Sequence, residues 1–192
     1  MARVSKASPP ETRVSSQVHR ALREGALYVF GALGLILWFA LLTYNSSDPG
    51  PFQTTSSDVV RNGVGTVGAW VADLLFTGFG RPAYLFTVMV FFLGWMLYRE
   101  QKTQIELTKL DFGLRFAGFL ATLATSCALA TLHFSPAGFR ESAGGIIGLA
   151  LGGWLEGLMK LLGASVLLFC LWVASVSLFL GISWINVMDR IG

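Results

Sequence analysis

Apolar residues in this chain gather into long runs broken by short polar stretches, whereas a soluble core would scatter them as amphipathic stripes. The first run, Ala26 to Tyr44, holds nineteen residues without a charge. At roughly 1.5 Å per residue, a helix of that length spans about 28 Å, the hydrocarbon thickness of a bilayer. It is too long for a signal-peptide core, and Tyr44-Asn45-Ser46-Ser47-Asp48-Pro49 beyond it is a turn sequence without a cleavage site, so the span is expected to stay in the mature protein. Three further spans are predicted at about 82–98, 112–132 and 163–186, with Pro82 suited to a first helical position where its missing N–H is harmless. Residues 1–24 read as a flexible cytoplasmic tail, helical at most from Ser16 onward, and 25–192 as one four-span membrane domain.

The segments between spans one and two, and between three and four, are not plain loops. Val60, Val64, Val67, Trp70, Val71, Leu74 and Leu75 recur at helical spacing, with Arg61, Asn62 and Asp73 elsewhere on the wheel, which predicts an interfacial amphipathic helix over about 59–78. Ile147, Leu151, Trp154, Leu155, Leu158 and Leu162 share a face over about 145–162, where Glu156 and Lys160 form an i, i+4 pair. Trp70 and Trp154 are the expected interfacial anchors. The stretch Gly68 to Leu75 can be laid over Gly152 to Met159, with the acidic residues one place out of register. Span, interfacial helix, span would then occur twice, as a parallel repeat. The expected fold class is therefore all-α and polytopic, with four transmembrane helices and two periplasmic interfacial helices.

Composition agrees with a membrane chain, being 54% hydrophobic and 13% charged. Its fourteen Lys and Arg set the orientation. With the amino terminus inside, Arg3, Lys6, Arg13, Arg20, Arg23, Arg99, Lys102, Lys109, Arg115 and Arg190 lie on the inner side, and only Arg61, Arg81, Arg140 and Lys160 on the outer. Both termini are expected in the cytoplasm. The basic excess thus reads as topology, and no direct DNA binding by this region is expected. Tyr98, Trp95 and Trp184 fall near inner span ends and Tyr44 near an outer one, while Trp172 is mid-span and reads as packing. Arg115, one turn inside the third span, can snorkel to the headgroups.

Gly144, Gly148 and Gly152 stand at four-residue intervals and would form a smooth helical stripe for close backbone approach, either within the chain or against another subunit. The alternative is that these glycines only permit a bent loop. Asn45, Ser47, Asp48 and Pro49 form an outer turn whose short side chains can satisfy the last carbonyls of the first span or start an Asx-turn. Cys127 and Cys170 sit at equal depth in their spans, able to face each other but best read as small packing residues. His133 has no Cys, Asp or Glu at i±3 or i±4, and His19 lies in the tail, so neither suggests a metal site or catalysis. No Lys follows a Gly, so the chain lacks a phosphate-binding GxxxxGK[ST] loop and is expected to be no enzyme and to use no cofactor. No acidic or basic pair lies mid-membrane, which counts against a transporter or channel subunit, the alternative together with a free-standing small membrane scaffold.

Several segments carry a family resemblance in order: Leu41 to Pro49, Gly68 to Phe76, Ser126 to Ala130, Gly144 to Gly148, and Trp172 through Gly181-Ile182-Ser183-Trp184. From about Glu24 to Gly192 the chain resembles the amino-terminal, four-span domain of FtsK-type DNA translocases. The resemblance implies an inner-membrane anchor at the division septum that meets the lipid bilayer and other membrane cell-division proteins. It also implies self-association, with a hexamer expected from the family. A linker, an ATP-driven motor and a DNA-reading winged helix would follow the fourth span in that family, and Gly192 precedes them.

Overall fold

The computed structural model describes residues 10–52, 59–99, 109–136 and 142–181. The tail before Pro10, the hairpin around Lys102, Arg140, and the end of the fourth span with Trp184, Asp189 and Arg190 lie outside the described residues. Regular structure among the described residues is helical: α1 (Pro10–Leu42), α2 (Gly65–Phe79), α3 (Tyr84–Arg99), α4 (Lys109–His133) and α5 (Gly145–Leu180). A 3₁₀ turn at Arg81–Ala83 carries Pro82 and leads into α3.

Helix α1 reaches back through most of the expected flexible tail. Pro10 sits at its first position, where a missing N–H is harmless, and Glu11, Gln17, Ala21, Leu22 and Arg23 are good helix formers that continue into the apolar run. Helix α2 starts later than expected, since Val59 to Val64 is not helical. Asn62 turns the chain there, its side chain accepting from Val64 N–H at 3.0 Å and its carbonyl from Gly65 N–H at 2.9 Å.

Among the described residues, three helical stretches are long and apolar enough to cross a membrane: Glu24–Leu42, Leu110–His133 and Gly145–Leu180. Arg81–Met96 is apolar but shorter. Large apolar side chains point outward along these helices, Leu162 being 78% exposed and Leu33 50%. Leaving such area in water costs about 25 cal/mol per Å², and a hydrocarbon solvent removes that penalty.

Helix α5 is not continuous: Lys160, at φ 58° and ψ 172°, breaks it into Gly145–Met159 and Leu161–Leu180. That break separates the expected interfacial helix from the expected fourth span, a few residues earlier than Gly163. It also exposes an internal symmetry. Gly65 and Gly145 open α2 and α5 with positive φ, 77° and 67°, and Gly80 and Lys160 close the two fifteen-residue stretches with φ of 60° and 58°. The residues before the opening glycines also match, Val64 at φ −96°, ψ 2° and Gly144 at φ −104°, ψ 7°. The two stretches are therefore equivalent at a spacing of eighty residues, which pairs Gly68 with Gly148 and Ala72 with Gly152. Laying Gly68 over Gly152 instead is four residues out, one helical turn, and so keeps the right face while missing the register.

Packing follows small residues. Gly34 lies under the Phe91 ring and Gly94 under Phe30 where α1 crosses α3. In α4 and the second part of α5, Gly118 faces the Phe179 backbone, Trp172 Nε1 donates to Ser126 Oγ at 2.9 Å, and His133 Nε2 meets Ser165 Oγ at 2.8 Å. These α5 contacts recur every seven residues, the spacing of an antiparallel helical seam. Arg115 does not simply reach outward: its guanidinium lies beside Gly181, the left-handed residue that ends α5, where a cation complements the helix dipole. Two apolar clusters form, one around Leu41, Ala72, Phe76 and Ala83, the other around Phe119, Leu123, Cys127 and Phe179, and Phe79 packs against both.

Lys160 occupies a conformation that is nearly restricted to glycine, at a strain of about 1–3 kcal/mol, and its repeat equivalent is Gly80. Lys160→Gly is expected to raise the thermal unfolding midpoint in detergent, whereas Lys160→Val should lower it. An unchanged midpoint in both variants would show that the break carries no strain.

Candidate anchoring and contact site

The candidate site lies where the outer turn, α2 and the start of α5 meet the ends of α1 and α4. At the turn, Asn45 Oδ1 accepts from Ser47 N–H at 3.0 Å and from Ser47 Oγ at 2.5 Å, an Asx-turn. Asp48 is buried, and its two carboxylate oxygens accept from Arg61 N–H and Asn62 N–H, each at 2.8 Å. Pro49 is half-buried beside it. Donors aimed at both oxygens meet the hydrogen-bonding needs of the buried carboxylate.

The last carbonyls of α1 find partners outside this turn. Asn62 Nδ2 donates to Ala40 O at 2.8 Å, Thr43 N–H and Oγ1 both donate to Phe39 O, and Tyr84 OH donates to Leu41 O at 3.3 Å. Gly63 N–H in turn donates to Thr43 Oγ1 at 2.9 Å. Asn45 to Pro49 thus starts the turn and holds residues 61 and 62, and the capping falls to Asn62, Thr43 and Tyr84. Of these, Asn62-Gly63 is the pair whose turn chemistry a sequence carries openly.

Helix α2 faces the opposite way to a soluble amphipathic helix. Gly68, Ala69, Ala72, Asp73 and Phe76 are buried, while Val67, Trp70, Val71 and Leu74 point out, Trp70 at 51% exposure. Small residues allow close helix approach, and bulky apolar ones are left for an apolar solvent. Asp73 is buried under the incoming loop, accepting from Tyr44 OH at 3.3 Å and Phe52 N–H at 3.2 Å. A side chain at Gly50 would collide with its carboxylate.

The glycine stripe packs within the chain. Gly144, Gly148 and Gly152 are buried against α4, the first two over the Cys127 carbonyl and Thr131 hydroxyl and the third over Ala128. Gly145 meets the backbone of Gly78 and Phe79, Gly80 meets Ala143 and Gly145, and Arg81 N–H donates to Ala143 O at 2.8 Å. Ser142 Oγ donates to Gly145 O at 2.8 Å and lies 3.1 Å from Thr131 Oγ1. On the far side of this helix Trp154 is 64% exposed and Leu158 65%. The cysteines do not face each other: Cys127 is buried with its thiol on the Phe79 carbonyl at 3.4 Å, and Cys170 is exposed. Among the described residues no three His, Cys, Asp or Glu come together to hold a metal.

Two substitutions test these contacts. Asp48→Ala strands two backbone donors and is expected to destabilise the domain by about 2 kcal/mol, read as a lower unfolding midpoint in detergent. Gly148→Leu forces α5 off α4 and should cost at least about 1–3 kcal/mol, whereas Gly153→Leu, which meets open space, should be neutral.

Residues 19–192 match the family described as the 4TM region of DNA translocase FtsK/SpoIIIE. The chain is 38% identical over 177 residues to the DNA translocase FtsK of Pseudomonas putida, covering 92% of this chain and 21% of that protein. It is 36% identical to the FtsK of Pseudomonas aeruginosa (92% and 22%) and 33% identical to that of Shewanella oneidensis (94% and 20%). The chain thus spans about a fifth of the length of these curated relatives, and the matched part is the membrane domain rather than the motor. No solved structure matches it. With its apolar helices, small-residue crossings and a match across residues 19–192, the chain belongs to the four-transmembrane-region family of FtsK/SpoIIIE DNA translocases.

Proposed function

We propose that this chain is the membrane anchor and septum-targeting, assembly domain of a DNA translocase that couples chromosome segregation to cell division. The observation that carries the reading is the family match over residues 19–192, joined to relatives named as DNA translocases of which the chain covers only about a fifth. A domain of this kind holds; it has no chemistry of its own to perform.

In this reading α3 is the second of four crossings, despite its shorter length, and both termini are cytoplasmic in the bacterial inner membrane. The excess of Lys and Arg on the tail and on the α3–α4 hairpin supports that orientation. Helix α2 and the first part of α5 then lie toward the periplasmic leaflet, and Trp70 and Trp154, both exposed, are their anchors or contact points for other division proteins. Several copies gather around one motor, six by family expectation, and the DNA is handled by the motor rather than by this domain.

Replacing Trp70 and Trp154 together with Glu is expected to abolish septal recruitment of a fluorescent fusion while membrane insertion persists. Undiminished recruitment of a stably inserted double variant would overturn the assignment of these helices as the recruiting surface.

A further inference from the structure

The internal symmetry extends beyond the two short helices. Helices α1 and α4 correspond at a spacing of ninety-one residues, since they end at Leu42 and His133. Both ends are closed alike, Thr43 N–H donating to Phe39 O and Phe134 N–H to Ala130 O, each at 3.0 Å, and the fastening points Ala40 and Thr131 keep the same spacing. The returning helices correspond at eighty-one. That spacing pairs Ala83 with Ala164, both fully buried, Thr87 with Leu168, and Gly94 with Ser175, all of them buried.

The two halves meet through unlike faces. The first half presents Phe79, Phe86, Met89 and Phe92, and the second receives them on Phe119, Leu123, Cys127 and Phe179. Each half therefore keeps one face that this contact does not use. On the first half the counterparts of the receiving residues are Tyr28, Ala32, Ile36 and Tyr98, all exposed, Tyr28 at 76% and Ile36 at 51%. On the second half the counterparts of the presenting residues are Met159, Leu167, Cys170 and Val173, the first three exposed and the last half-buried. Had the halves closed on each other as a two-fold pair, these two faces would be buried together. Instead both are free and apolar. An apolar groove of about 320 Å³ opens on the receiving face, with Ile36, Leu37, Val67 and Gly68 in its walls. Ile36 and Val67 stand there where the second half has Cys127 and Ile147, beside Phe79.

We propose that a second copy of the chain covers these faces head to tail, Met159 of one copy entering the groove at Ile36 of the next and Leu167 lying on Tyr28. Hydrocarbon competes for any apolar face, so association in a bilayer depends on fit. The fit is already present inside the chain, between equivalent helices. At one corner the copies stand farther apart than the halves do: a Cβ on Gly80 would fall on the Ala143 carbonyl, and the counterpart of Gly80 is Lys160. Met159, long and unbranched, suits the wider gap. Contacts between unlike faces add copies in one direction, into a ring where the rotation closes. The inference rests on the membrane-anchor reading for its lipid surroundings and gives the gathering of copies a surface, without resting on septal recruitment.

The test is disulfide cross-linking in membranes between two separately tagged copies, co-expressed with Cys170→Ala in both and oxidised with copper phenanthroline. Met159→Cys on one copy with Ile36→Cys on the other should give a mixed dimer. So should Leu167→Cys with Tyr28→Cys, whose counterparts Phe86 and Phe119 have ring centres 5.7 Å apart. Trp38→Cys in place of Ile36→Cys should give none, because two residues along a helix is about 200° around it. Ile36→Trp, which fills the groove, should lower the Leu167→Cys with Tyr28→Cys yield several-fold with helicity unchanged by circular dichroism. Absence of either mixed dimer, an equal yield with Trp38→Cys, or dimers of Met159→Cys with itself would each overturn the head-to-tail interface. Any of these results in a chain whose fluorescent fusion still reaches the septum would leave the anchor reading standing, so the two fail separately.

Discussion

Three backbones meet at one point: the end of α2 at Gly78–Gly80, the start of α5 at Ala143–Gly145, and the Cys127 carbonyl of α4. The rest of the fold depends on this contact because a bilayer supplies no water to satisfy stray amides and carbonyls, and little hydrophobic drive to press helices together. Close approach has to substitute, and only residues without bulk permit it. The Arg81–Ala143 hydrogen bond then ties the first half of the chain to the second, and Phe79, packed into both apolar clusters, extends the same tie. From Phe79 a row of tilted and edge-on rings continues through Phe86, Phe119, Phe179 and Phe92. Such pairs add about 0.5–1.5 kcal/mol each beyond their burial.

The pseudo-symmetry explains why this arrangement could be reached twice. Each half runs a long helix, a fifteen-residue helix opened by a left-handed glycine, and a returning helix. Each half also uses one polar side chain, Asn62 or Ser142, to fasten the opening turn to the preceding helix, through Ala40 O in one case and Thr131 Oγ1 in the other. The halves differ at their closing residue, where Gly80 turns without penalty and Lys160 does not.

Apolar length was the legible part of the fold, since a bilayer dictates how many uncharged residues a crossing needs, and Ala26 to Tyr44 declares itself on that ground. Facing was not legible in the same way. Val67, Trp70, Val71 and Leu74 point outward as an interfacial stripe does, but the opposite face, with Gly68, Ala69, Ala72 and Asp73, is buried against the chain rather than turned to water. Asp48 was found as part of a turn, but its grip on residues 61 and 62, and the loop laid over Asp73, join positions 13 or more apart that no local pattern connects. The glycine stripe was visible from its spacing, whereas its partner on α4, a carbonyl and a threonine hydroxyl, had no spacing to announce it.

The seam between α4 and α5 has a mechanical consequence. Its contacts at Phe179, Trp172 and Ser165 are spread along the helix axis rather than concentrated at one end. A tension applied at Gly181 along that axis loads them together, in shear, while the same tension applied sideways would peel them one at a time. The second part of α5 is thus seated to resist axial traction far better than lateral traction.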